Sequence, residues 1–152
     1  MNTYTTDLLN SLIEIHNDRI EGYAKSVLQT RDPDLRNLFL IFQQNSMRCK
    51  ADLVREILNI GGEPTEELSA SGKLNTAWID INAALESKNR ISILDSCETV
   101  ENIVLAAYKT LINNNWDTFS ISLQVLINRQ RQIMKADHDS IRLLLDKLLE
   151  HH

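Results

Sequence analysis

Residues 9–27 read LNSLIEIHNDRIEGYAKSV, and apolar side chains recur in this stretch at intervals of three and four residues. This spacing predicts an amphipathic α-helix, because residues three and four apart share one face of a helix. The same pattern recurs in every long segment that follows, and no run alternates as a β-strand would. The 152 residues include only four glycines and two prolines, which disfavours the turn-rich β folds. We therefore predict an all-α protein.

Start and stop signals divide the chain into four long helices and a shorter one. Asp32 followed by Pro33 is typical of a helix start, while Gly61 and Pro64 are typical of a helix end. The asparagine run at 113–115 predicts the last turn. The predicted helices span residues 5–30, 33–58, 73–85, 90–112 and 116–148.

Two helical hairpins joined by a long polar connection predict a particular topology. The connection lets the third long helix run parallel to the first, and a single long link of this kind is typical of ferritin-like four-helix bundles. The last helix is longer than its partner, so the segment IRLLLDKLL at 141–149 would project beyond it. We expect the short helix, which the connection carries, to cover this segment by packing Trp78 against Ile141 to Leu145.

The whole chain fits one domain, predicted at 1–148. The final residues, LEHH at 149–152, are interpreted as the remnant of an expression tag. A formal charge of −5 and the lack of a basic face argue against nucleic acid. No long apolar run is present and the amphipathic helices lack a basic face, which argues against a membrane. Two cysteines suit the reducing cytoplasm.

One carboxylate falls on an apolar stripe, since Glu101 lies between Cys97 and Leu105 in the helix register. Folding each hairpin at its predicted turn places His16 level with Ser46, and Glu101 within one turn of Gln130. These four residues form a candidate polar layer in the core. A buried, hydrogen-bonded network is the favoured interpretation, with Glu101 paired to His16, Gln130 or a tyrosine. Replacing Glu101 with glutamine should then cost little stability.

A metal centre is the alternative interpretation of this layer. A di-iron site needs one Glu from each of two helices and a Glu-x-x-His pair from each of the other two. Residues 35–51 of the second helix contain no Asp, Glu or His, so the ligand set is incomplete. We therefore expect no metal and no cofactor, and no catalytic motif is recognisable. Glu21, Glu98 and Glu101 remain the alternative metal ligands.

Four segments carry a family resemblance: LIEIHNDRIEGY, GGEP, SGKLNTAW and CETVENIVLAAYKTL. They resemble a bacterial ferritin-like four-helix-bundle family of unknown function, with the patterns N/D-D-x-x-E-G-Y and C/A-E-x-G-E-D. Residues 17–23 match the first pattern, while Val100 and Asn102 depart from the second. The resemblance implies a ferritin-like fold and a bacterial, cytoplasmic setting. Some relatives are linked to stress responses.

Three functional hypotheses follow from these observations. The first is a non-enzymatic bundle protein that acts through an unknown protein partner or through homo-oligomerisation, with a link to stress implied by the resemblance. The second is a degenerate ferroxidase-like protein that binds metal through His16, Glu21, Glu98 and Glu101. The third is a small-ligand binder with its site in the bundle core. Metal analysis separates the first two, and a cavity at the polar layer would favour the third.

Overall fold

The computed structural model describes residues 3–150, which form five α-helices. They are α1 (Thr3–Gln29), α2 (Pro33–Asn59), α3 (Gly72–Ser87), α4 (Arg90–Asn115) and α5 (Ile121–Glu150), with one turn of 3-10 helix at Trp116–Thr118. No strand occurs between residues 3 and 150, so the predicted all-α class is confirmed. Leu149 and Glu150 continue α5, whereas His151 and His152 of the proposed tag remnant lie outside the described residues.

The first hairpin begins and ends as its sequence predicts. The Asp32 carboxylate caps α2 by accepting a hydrogen bond from the backbone nitrogen of Asp34 at 3.0 Å, and Pro33 occupies the first helical position. After α2, Gly61 adopts a φ of 78°, in the left-handed region that glycine tolerates without strain. The chain can therefore leave α2 sharply and enter the connection.

The turn of the second hairpin lies later than predicted. The asparagine run does not end α4, which continues to Asn115, and the hydroxyl of Ser120 accepts from the backbone nitrogen of Leu123 at the start of α5. Helix propensities differ by only tenths of a kcal/mol between such residues, so burial of Leu111 in the core outweighs the asparagines. The predicted helix start at Trp116 is therefore wrong.

Helix α4 runs antiparallel to α1, which corrects the predicted parallel arrangement. The Arg90 guanidinium, at the start of α4, lies 2.6 Å from the Asp32 carboxylate, beyond the end of α1. At the opposite end, the Tyr4 hydroxyl of α1 donates to the side chain of Asn115. The physical reason is α3, which runs back along the molecule and brings the chain to the other end before α4 begins.

Polar side chains of α1 hold the connection between α2 and α3. Asn10, Asn17 and Asp18 make hydrogen bonds of 2.8 to 3.1 Å with backbone groups of residues 63–69. These bonds satisfy backbone groups that have no helical partner. The asparagine–aspartate pair at 17–18 is thus explained by the path of the connection.

One hydrophobic core receives side chains from all five helices. Ile141 and Leu145 belong to it and are buried, so the last part of α5 does not project as predicted. The later turn explains the difference, because it brings the start of α4 level with this part of α5. None of the helices between residues 3 and 150 combines the length and apolar character needed to cross a bilayer.

Trp78 packs on α1, which makes the predicted contact with Ile141 to Leu145 wrong. Its ring lies edge-on to the ring of Tyr23, with 4.9 Å between the centroids. It also lies directly over Gly22, where an added Cβ would come within 2.6 Å of three ring carbons. Helix α3 lies against α1 and α4, so its tryptophan faces that side of the molecule.

Replacing Gly22 with alanine should therefore destabilise the protein by about 1–3 kcal/mol through overpacking. Alanine at an unobstructed helical position should instead stabilise by about 0.5–1 kcal/mol, because glycine loses more backbone entropy on folding. Gly72→Ala is the matched control, since a Cβ there meets no atom within 4 Å. Urea denaturation should show opposite signs for the two variants, and equal stability would contradict the proposed close contact.

Candidate functional site

A buried ion pair lies at the centre of the polar layer. Arg19 and Glu101 are both 0% exposed. The guanidinium donates from Nη2 to Oε1 at 2.7 Å and from Nε to Oε2 at 3.1 Å, which is a bidentate arrangement. The hydroxyl of Tyr23 donates to Oε2 at 2.6 Å. Both oxygens of the Glu101 carboxylate are thus occupied by donors from α1.

A second carboxylate shares the same guanidinium. Asp137 of α5 accepts from Nη2 of Arg19 at 3.0 Å and from Nδ2 of Asn45 at 2.9 Å. Burial raises the pKa of Asp137 to about 6, although the adjacent Arg19 opposes this shift. Burial alone would lower the pKa of Arg19, but Glu101 and its other neighbours hold it above its usual value. One permanent cation therefore faces two carboxylates.

A series of hydrogen bonds runs from the Arg19 guanidinium through neutral side chains across the core. Nη1 of Arg19 donates to the Ser46 hydroxyl at 2.6 Å, which leaves that hydroxyl to donate to Nδ1 of His16 at 2.9 Å. Nε2 of His16 then donates to the Tyr108 hydroxyl at 2.7 Å. Tyr108 donates to Oε1 of Gln130 at 2.8 Å, and the chain ends where the Gln130 amide donates to a backbone carbonyl of α2.

The order of donors and acceptors along these hydrogen bonds assigns His16 as a neutral imidazole with its proton on Nε2. Burial and the positive charge of Arg19 lower the pKa of His16 to about 3, in agreement with that assignment. Burial raises the pKa of the Tyr108 hydroxyl well above its usual value, so it remains a donor. The network can orient and share protons among these groups, but it offers no base accessible to solvent.

The two cysteines lie in the core and have little thiolate character. Burial raises the pKa of Cys49 to about 12 and raises that of Cys97 further. The thiolate is the form that attacks electrophiles and binds metals. Their environment therefore fits packing rather than redox chemistry.

The structure buries all four residues of the sequence-derived polar layer and joins them into one network. His16 and Ser46 bond directly, and Gln130 joins them through Tyr108. Glu101 contacts neither His16 nor Gln130, and it reaches Ser46 only through Arg19. The expected pairing of Glu101 with a tyrosine is confirmed, since Tyr23 donates to its carboxylate. The expected bond to His16 or Gln130 is not formed, because Arg19 donates to both carboxylate oxygens instead.

Sequence reasoning missed four members of the network, although a signal for each was present. Arg19 lies three residues after His16 on the buried stripe of α1, and Asp137 and Tyr108 occupy equivalent positions on α5 and α4. The fourth is Asn45, which lies on α2 next to Ser46, a member of the buried face of that helix. A charged or polar residue that lies three or four residues from the apolar residues of a helix face is a candidate for burial.

The alternative metal ligands point to separate places. Glu21 is half exposed and pairs with Lys25 at 3.2 Å. Glu98 contacts Arg142 at 3.0 Å, at the edge of the α4–α5 pair. Glu101 is bonded to Arg19. Within residues 3–150, no three His, Cys, Asp or Glu side chains form a group able to hold a metal ion.

Comparison with known proteins gives one family. The model described as Domain of unknown function (DUF2383) matches residues 4–114. This range covers α1 to α4 and includes Arg19, Tyr23 and Glu101, while α5 with Gln130 and Asp137 lies outside it. No curated protein matches the chain.

Proposed function

The chain belongs to the family described as Domain of unknown function (DUF2383), and we propose that it is a non-enzymatic, ferritin-like bundle protein without a metal centre. One observation carries this proposal: Arg19 and Tyr23 occupy both oxygens of the Glu101 carboxylate. A permanent cation thus occupies the carboxylate that a metal ion in the polar layer would need as a ligand.

The helix order supports the ferritin-like part of the proposal. Two antiparallel hairpins, α1–α2 and α4–α5, are joined by a connection that crosses the length of the molecule. Ferritin-like folds contain one such crossover, whereas simple up-and-down bundles have short links throughout. The crossover here contains α3, which packs on α1 and α4.

The charge balance of the core supports the absence of a metal centre. A divalent ion at Glu101 would have to displace the guanidinium of Arg19, which is itself fully buried. The displaced guanidinium would lose its carboxylate partners in a region of low dielectric constant, at a cost of several kcal/mol. His16 offers no free nitrogen, since both are hydrogen-bonded.

The family-like motif also has a structural explanation. Asn17 and Asp18 hold the connection, and Gly22 leaves space for Trp78. Tyr23 bonds to Glu101. These residues are accounted for by folding, without a reactive group, which supports a non-enzymatic role.

A protein of this kind would act by binding other molecules. The proposal includes a protein partner or a second copy of the chain, a cytoplasmic bacterial setting and the stress link implied by the resemblance. Exposed apolar side chains on α2, among them Ile41 and Met47, favour association. Sedimentation velocity of the purified chain distinguishes a self-associating protein from a monomer that requires a different partner.

Tag-free protein purified after growth in iron-rich medium should contain no stoichiometric iron, and it should not accelerate the oxidation of ferrous iron. Elemental analysis and an oxygen-consumption assay measure these two properties. The degenerate ferroxidase hypothesis predicts the opposite result, with iron lost in Glu101→Gln. Bound iron that disappears in Glu101→Gln but persists in the matched variant Glu86→Gln, at an exposed position of α3 outside every candidate ligand set, would overturn the proposal.

A further inference from the structure

A solvent-open groove of about 610 Å³ lies between α4 and α5, on the outside of the molecule. None of the residues of the buried ion pair lines it. Its size falls within the range of about 300–1,000 Å³ that is typical of small-molecule sites. The groove therefore has the dimensions of a ligand site and is independent of the polar network.

The α4 wall of the groove is largely apolar. Leu105 and Ile112 line it seven residues apart on α4, which places them along one side of the helix, and Trp116 continues the wall in the 3-10 turn that follows. Trp116 is only partly buried and offers an aromatic surface to the groove. This wall suits an apolar chain or ring.

Two cations of the groove have no partner. Lys109 and Arg131 line it from opposite helices, and neither side chain makes an ion pair or a hydrogen bond with any of residues 3–150. Lys135 adds a third cation and is paired with Asp139, which is the only carboxylate that lines the groove among the described residues. The lining is thus net positive, although the protein has a formal charge of −5.

From these observations we propose that the α4–α5 groove binds a small amphipathic anion. Lys109 and Arg131 hold its carboxylate or phosphate group, and Leu105, Ile112 and Trp116 pack against its apolar part. Charge complementarity and volume select this ligand class. A folded protein partner would need about 800 Å² of contact on its side, more than a groove of this size provides.

Isothermal titration calorimetry of the full chain with decanoate, below its micelle concentration, tests the proposal. Saturable binding of one decanoate per chain is expected, with decanol bound about tenfold more weakly because a charged hydrogen bond is lost. Decyltrimethylammonium should not bind. The same titration is carried out with decyl phosphate. The anion with the lower dissociation constant shows whether the groove prefers a carboxylate or a phosphate group.

Arg131→Gln and Lys109→Gln should each weaken decanoate binding about tenfold. Arg129→Gln is the matched control, because Arg129 is an exposed, unpaired cation on the same helix that does not line the groove. Asn128→Phe should block the groove without a change of charge, while Gln132→Phe, outside the groove, should leave binding unchanged.

Equal weakening by Arg129→Gln and Arg131→Gln would overturn the proposal, since binding would then reflect charge in general. Decanol binding as tightly as decanoate, or no saturable binding by either anion, would also overturn it. The iron measurements concern the buried Glu101, so the failure of either proposal leaves the other intact.

Discussion

Replacing Arg19 with methionine is expected to lower the free energy of unfolding by about 3–5 kcal/mol, because it breaks a fully buried ion pair. Methionine approximates the aliphatic part of the side chain, so the change is mainly one of charge. It leaves two carboxylates, Glu101 and Asp137, buried without a cation. Urea denaturation monitored by circular dichroism at neutral pH measures the loss.

A double-mutant cycle tests whether the loss comes from the ion pair. Glu101→Gln alone should also destabilise strongly, because it leaves Arg19 with less negative charge, and the small cost predicted from sequence is revised accordingly. The Arg19→Met, Glu101→Gln double variant should lose much less than the sum of the single changes. Arg142→Met is the surface control, and a loss there as large as that from Arg19→Met would contradict the account.

The first hairpin shows what the sequence was able to predict. Its turn has strong local signals in Asp32 and Pro33, so the height of each residue along α1 and α2 follows from its distance to the turn. His16 and Ser46 are each 15 residues from residue 31, and they are hydrogen-bonded in the structure. Here local chemistry determines the register.

The second hairpin shows where that reasoning failed. Glu101 lies 18 residues before Phe119, and Asp137 lies 18 residues after it. A turn at the asparagine run shifts α5 by nine residues, about two and a half helical turns, relative to α4, so that the predicted neighbour of Glu101 is Asn128 and not Asp137. Asparagine is common in turns, but its preference is too weak to end a helix that is stabilised by packing.

The burial of Arg19 depends on contacts that no local pattern determines. An arginine between Asp18 and Ile20 is usually solvated, because burying its charge without partners is costly. Its burial requires Glu101 and Asp137 to arrive from α4 and α5 at the same height. The sequence shows that Arg19 has the helical spacing of the apolar residues of α1. Its partners, Glu101 and Asp137, can be identified only once the positions of both hairpins are known.

The network also contains two groups whose protonation affects stability in opposite directions. The pKa of His16 falls from 6.5 to about 3 on folding, so the unfolded chain binds the proton more tightly and acid destabilises the fold. The pKa of Asp137 rises from 3.8 to about 6, so the folded chain binds the proton more tightly and acid stabilises the fold. Between pH 4 and 6.5 the two contributions partly cancel.

Single substitutions should therefore separate the two contributions. On acidification from pH 6.5 to 4, His16 alone removes about 3 kcal/mol of stability and Asp137 alone adds about 2 kcal/mol. Relative to wild type, His16→Gln should become more stable as the pH falls, whereas Asp137→Asn should lose stability more steeply. Urea denaturation at half-unit pH intervals measures both slopes. Asp18, whose pKa burial also raises, is present in all three proteins, so its effect cancels in the comparison.

The dependence of stability on pH could also be the same in the two variants. That result would contradict a buried neutral His16 and a shifted Asp137, because titration of surface carboxylates affects both variants alike.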